Sequence, residues 1–221
     1  MAMSNSQENP LYRTMEAVKA SAIRDVMTTI PGHIMAYNPT TQRAQVQCGI
    51  QRKLGGRYVN MPVIINVPVR FSGTAEWAVF HELPAGTEGL VHFAKQSIDA
   101  WIDQGGVVAP ADERQFSADD AFFSPGYRSL KTAIPDLPTS GIGMTNRDGS
   151  VRIHLTDSGI TLTCGGVSLT VSPEGITHSG KTTLDGRTEV TAGGLSVGNI
   201  EFSDHVHDGV ETGPGSTQRP R

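Results

Sequence analysis

Val151-Arg152-Ile153-His154-Leu155, Ile160-Thr161-Leu162-Thr163-Cys164, Val167-Ser168-Leu169-Thr170-Val171 and Gly175-Ile176-Thr177-His178 are four short runs of one kind. Each alternates an apolar side chain with Thr, Ser or a polar residue, the period of a strand that buries one face. Turn-forming residues separate them: Asp157-Ser158-Gly159, Gly165-Gly166 and Pro173-Glu174-Gly175. The pattern continues with Thr183-Leu184, Thr188-Glu189-Val190, Leu195-Ser196-Val197 and Ile200-Glu201-Phe202. Recurrence every six to nine residues or so predicts a β-solenoid rather than a sandwich. One chain could not stabilise such an object alone. Each run brings two or three apolar side chains, and no aromatic residue stands between Gly141 and Phe202 except at that last position. A single copy would leave edges unpaired and enclose almost no core. Three copies wound about one axis would pair the edges and turn the apolar row, with Ile153, Leu162 and Leu169, into a continuous core. A single-chain β-helix needs longer coils and a longer chain.

Beyond the repeat lies Ser203-Asp204-His205-Val206-His207-Asp208-Gly209, then a Gly-, Pro-, Ser- and Thr-rich tail to Arg221. Histidines two apart on an extended segment point to the same side and can reach one metal ion. Two ligands are too few for a site, since a structural tetrahedral site takes four and an octahedral one about six. Either His205 and His207 are solvent-facing tail residues, or other copies of the chain complete the site. With three copies, two imidazoles each give six ligands. The carboxylates of Asp204 and Asp208 either orient the imidazoles by hydrogen bonding or broaden the choice of metal. His154 and His178 read as surface or interface histidines, and His33, His81 and His92 as structural ones.

Before the repeat, residues 109–139 lack periodicity and read as a linker, with Ala121-Phe122-Phe123 as an anchor. The acid pairs Asp112-Glu113 and Asp119-Asp120 read as solvated. Adjacent carboxylates do not face one another, and no calcium-loop spacing accompanies them. Residues 31–108 carry about five short strand signals, the number of an OB-fold-like barrel. The hairpin around Asn38-Pro39-Thr40-Thr41-Gln42 is the clearest, and Pro62 and Pro68 confine Val59–Val69 to an edge or to strand ends. Trp77, Phe80, Phe93 and Trp101 occupy core-like positions and the basic residues are scattered. No stacking groove for nucleic acid is therefore expected. Residues 1–30 read as an N-terminal tail and helix. Asn9 is the cap, Pro10 the first helical residue, and Leu11, Met15, Val18, Ala22 and Val26 form an apolar stripe that docks on the barrel or on a neighbouring chain. Pro31-Gly32 is expected to end the helix.

The whole composition agrees with an all-β chain assembled from several copies. Among 221 residues there are 25 glycines and 13 prolines, with 6% aromatic and 18% charged residues. The net charge of −4 offers no general attraction to nucleic acid or anionic lipid. Cys48 and Cys164 read as free thiols, and the chain as a soluble product made in the cytoplasm.

Pro31-Gly32-His33-Ile34 with Asn38 to Gln47, the Thr/Gly-rich repeat, and Ser203 to Thr217 together resemble the central spike proteins of contractile-tailed bacteriophages. The resemblance spans roughly residues 23–221. It implies an OB-fold collar, followed by an intertwined trimeric β-helix shaft over 140–202 and a metal-binding tip over 203–221. It further implies one iron ion per homotrimer, held by His205 and His207 of the three chains. The partners implied are a baseplate hub protein and, transiently, the host outer membrane, with no nucleic acid. The location implied is the tip of the tail baseplate in the virion. Two departures stand out: Asp204 and Asp208 flank the histidines, and the chain ends in Gln218-Arg219-Pro220-Arg221. The activity implied is mechanical piercing, without catalysis. Two alternatives are a trimeric tail fibre that recognises surface polysaccharide and an envelope-degrading hydrolase. For the first, the aromatic-poor C-terminal part offers little binding surface. For the second, Ser203, Asp204 and His205 are consecutive and cannot converge as a triad.

Overall fold

The structure is a computed structural model that describes residues 9–202 and Gly213. It contains two compact units, divided between Ile134 and Pro135.

In the first unit, helix α1 spans Pro10–Asp25. Asn9 caps it as its sequence position predicts, its Oδ1 accepting from the Leu11 amide at 3.0 Å. The helix does not run on to Pro31-Gly32. It stops at Asp25, and strand β1 (Thr29–Asn38) contains both of those residues. Thr28, Thr29 and Ile30 are β-branched and favour the extended backbone, and a proline biases the residue before it the same way. Every described side chain from Pro10 to Ile23 is exposed, so the apolar stripe is not buried on the barrel.

The barrel sheet continues with β2 (Arg43–Cys48), β5 (Ile64–Pro68), β8 (Glu88–Phe93) and β9 (Ala121–Pro125). Two side hairpins are β3 (Arg52–Leu54) with β4 (Arg57–Val59), and β6 (Ser72–Gly73) with β7 (Ala78–Val79). The five main strands lie in the order β5-β2-β1-β8-β9, all neighbours antiparallel. The two edges then approach each other. Val69, just past β5, bridges Phe123 of β9 in parallel, and the Arg70 amide donates to the Phe123 carbonyl at 2.9 Å. The sheet therefore curls, consistent with an OB-like barrel. The alternation predicted for β2 holds, with Ala44, Val46 and Cys48 buried. The prolines act as expected, since β5 is an edge strand that ends at Pro68.

Residues 121–125, read from the sequence as a linker anchor, supply a strand of the sheet, and Phe123 is the largest fully buried side chain. Glycine makes its seat. Gly32 and Gly89 face each other across β1 and β8, and a Cβ on Gly89 would lie 2.6 Å from the Phe123 ring and 2.4 Å from the Ser124 carbonyl oxygen. The short helix α2 (Asp99–Gln104) settles the Ser97–Ile102 segment as helical.

In the second unit, β10 (Ile142–Thr145), β11 (Val151–Thr156), β12 (Gly159–Cys164), β13 (Val167–Ser172) and β14 (Gly175–Ser179) form one antiparallel sheet in sequence order. Pairing of Thr156 with Gly159, Cys164 with Val167 and Ser172 with Gly175 leaves two-residue turns at 157–158, 165–166 and 173–174. Such turns fold the chain straight back, so within one chain the predicted strands make a meander and not solenoid coils. Strand β10, which the sequence reading passed over, starts it. Residues 183–184 and 188–190, expected as strands, are not strands in the described chain. β15 (Ser196–Val197) and β16 (Ile200–Glu201) pair as a small hairpin.

Candidate functional site

His205 and His207, with the neighbouring Asp204 and Asp208, lie outside the described residues, and so does the iron site that the resemblance implies for them. No three His, Cys, Asp or Glu side chains gather as a metal site among the described residues of one chain. No helix in them is long and apolar enough to cross a membrane.

What the structure does place is a sheet with two unlike faces. Cross-strand partners put Ile142, Met144, Val151, Ile153, Leu155, Ile160, Leu162, Val167, Leu169, Val171 and Ile176 on one side. The opposite side carries Thr145, Arg152, His154, Thr161, Thr163, Ser168, Thr170 and Thr177. Soluble sheets bury such an apolar face. Here it stays open: Leu162, central on the sheet, is 41% exposed and Ile176 73%. An uncovered patch of contiguous apolar side chains marks an interaction surface.

A second surface lies on the barrel around hairpin β6–β7. Trp77 and Phe80 were expected in the core but are 81% and 86% exposed. They line a concavity with Tyr37, Phe71 and His81, the last tilted against Phe71 at 59° with ring centroids 5.4 Å apart. Strand β7 is only two residues long and pairs only with β6 in its own two-stranded hairpin, so it never enters the main sheet and cannot turn these rings inward. Trp101 is also partly exposed, edge-on to Phe122, whereas Phe93 is buried as expected. Exposed rings are what a stacking surface needs, so the aromatic side of the case against nucleic acid weakens. The scatter of basic residues stands.

The loop between the barrel strands is held by charge. Asp120 is fully buried, although the sequence reading had it solvated. Its carboxylate accepts from the Ile98 amide at 2.9 Å and from Arg114 Nε at 2.8 Å, while Arg114 also reaches Asp112 and Asp99. Burial pushes the Asp120 carboxyl up, but Arg114 and the Ile98 amide outweigh it and hold the group below the usual carboxylate range. The same carboxylates push the Arg114 guanidinium further up, its bond to Asp120 foremost. Glu88 fastens the segment after β9. It accepts from the Ser129 amide at 2.6 Å and from the hydroxyls of Ser129 and Thr132. The Ser129 amide, then Thr132, hold its carboxyl below the usual range. Both arrangements clamp loop segments to the barrel scaffold.

Residues 30–126 match the sequence model of the phage protein Gp138 N-terminal domain. The matched stretch runs from the second residue of β1 through β9, nearly the whole curled sheet. The match supports a phage structural protein of the tail or baseplate, carried in the virion and associated with other proteins of that assembly. No curated protein matches the chain.

Proposed function

We propose that the protein is the central spike of a contractile phage tail, a homotrimer that the contracting sheath drives through the host outer membrane. The carrying observation is the open apolar face of β10–β14, on a chain whose preceding domain matches a phage protein family. Three copies that turn these faces toward a common axis bury them together and wind the strands into a shaft. The exposed stripe of α1 docks on a neighbouring chain in the same assembly. The aromatic surface at Trp77 and Phe80 seats the baseplate hub, since large aromatic anchors supply most of the energy at protein interfaces. At the tip, His205 and His207 from three chains supply six imidazoles to one iron ion. That bond ties the ends together where no apolar core fits. The work is mechanical and turns over no substrate.

The experiment is native mass spectrometry of the purified full chain with elemental analysis. The expected result is a trimer, resistant to SDS, with iron at one ion per three chains in the wild type and none in H205A/H207A. A monomer, or metal at one ion per chain, overturns the proposal.

A further inference from the structure

The apolar face of the repeat carries three cross-strand rows. One flanking row is Leu155, Ile160, Val171 and Ile176, and the other is Val151, Cys164 and Val167. The middle row runs Met144, Ile153, Leu162, Leu169 and ends at His178. Among the described residues His178 is thus the one imidazole on this apolar face, in register with four apolar residues. His154, by contrast, stands on the polar face, bonded to the Ser140 carbonyl oxygen.

The ring is also fixed. Its Nδ1 lies 2.9 Å from the hydroxyl oxygen of Thr182, four residues on. When Nδ1–H donates to that hydroxyl, the lone pair of Nε2 is left free. An imidazole held through one nitrogen, with the other free, is the arrangement metal-ligating histidines use. Covering such a ring with apolar side chains alone would strand a polar atom.

The next step rests on the trimeric reading above. When three copies turn the same face toward one axis, the middle row of each sheet lies nearest that axis. Each residue of that row then meets its own counterparts. Leucine meets leucine along the row, and at its end three imidazoles meet. We propose that His178 from the three chains forms a second metal site in the shaft. It is a tris-imidazole site for a divalent transition cation of the zinc type, with one position left to water or an anion. Three imidazoles and one open position make up a tetrahedral zinc set. The cation ties the chains together where the continuous apolar row stops, and Thr182 positions each ring.

The test separates this site from the tip. The full chain carrying H205A/H207A is stripped with chelator, then titrated with Zn2+ under native mass spectrometry, with a chromophoric chelator as competitor. The expected result is a trimer that takes up one zinc per three chains. Adding H178A abolishes the uptake, and T182V weakens it roughly 10- to 100-fold at unchanged stoichiometry. With the tip intact, H178L lowers total metal from two ions per trimer to one. It also raises the melting temperature of the metal-free trimer, because the apolar row becomes continuous. A trimer that binds no zinc, or binds it equally well without His178, overturns the site and leaves the trimer standing. A monomer in every variant overturns the trimer and the site with it.

Discussion

The barrel and the repeat are both built from short antiparallel strands, yet they solve burial in opposite ways. The barrel curls its sheet until Val69 meets Phe123, and Ile34, Val46, Val67, Val91 and Phe123 all face inward at 1% exposure or less. The repeat keeps its sheet open, and its large apolar residues other than the half-buried Leu169 are exposed. The difference lies in side-chain size and turn length. The barrel has aromatic rings and longer connections that let distant strands meet. The repeat has β-branched and leucine side chains on two-residue turns, which allow only neighbouring strands to pair. The first unit completes its own core, and the second leaves its apolar face open.

The largest effect expected from breaking that contrast is at Leu162. L162D places a carboxylate in the middle of the apolar face, and burying it unpaired in the proposed trimer costs several kcal/mol in each chain. Size-exclusion with light scattering should show the assembly lost, whereas T161D on the opposite face keeps it. The barrel should be blind to both changes. Its own weak point is Phe123: F123A removes a fully buried ring and should cost about 3–5 kcal/mol of barrel stability, independent of protein concentration, in a denaturant titration. Next comes D120N, which replaces charge-assisted bonds to Arg114 and the Ile98 amide. A loss of about 1.5–3 kcal/mol is expected by the same titration.

The smallest effect concerns Glu88. Its carboxyl is held below the usual range, so its bonds to Ser129 and Thr132 add stability above the unfolded value, roughly pH 4.3. That contribution is lost as pH falls through the lower, folded value. E88Q should therefore lower the melting temperature at pH 7 and match the wild type at pH 2.

Much of this was legible beforehand, and the failures have physical causes. Asn9 and Pro10 announced α1, and the alternation of Ala44, Val46 and Cys48 gave β2 its buried face. The four runs from Val151 to His178 fell on strands β11–β14. Their connection within one chain was not legible, because period-2 alternation fixes which face a residue takes, while turn length decides whether the chain coils or doubles back. Trp77 and Phe80 were misplaced because ring size suggests a core, and only the shortness of β7 shows that no sheet lies beneath them. Asp120 was misread because its partner Arg114 is six residues away with no periodic pattern between them. His178 was legible only as a histidine in the repeat. Its place at the end of the apolar row appears once β13 and β14 are in register. The tip histidines lie outside the described residues, and their reading still comes from spacing and resemblance.

The strands of the repeat begin at Val151, Gly159, Val167 and Gly175, eight residues apart. Each unit reverses the chain direction, so two units restore both direction and facing. A gene encoding such a sheet can gain or lose length in steps of two strands without disturbing what lies at either end. A change of one residue inside a strand would turn every later apolar side chain to the wrong side. Length in the repeat is therefore heritable in discrete increments, and it can evolve separately from the barrel.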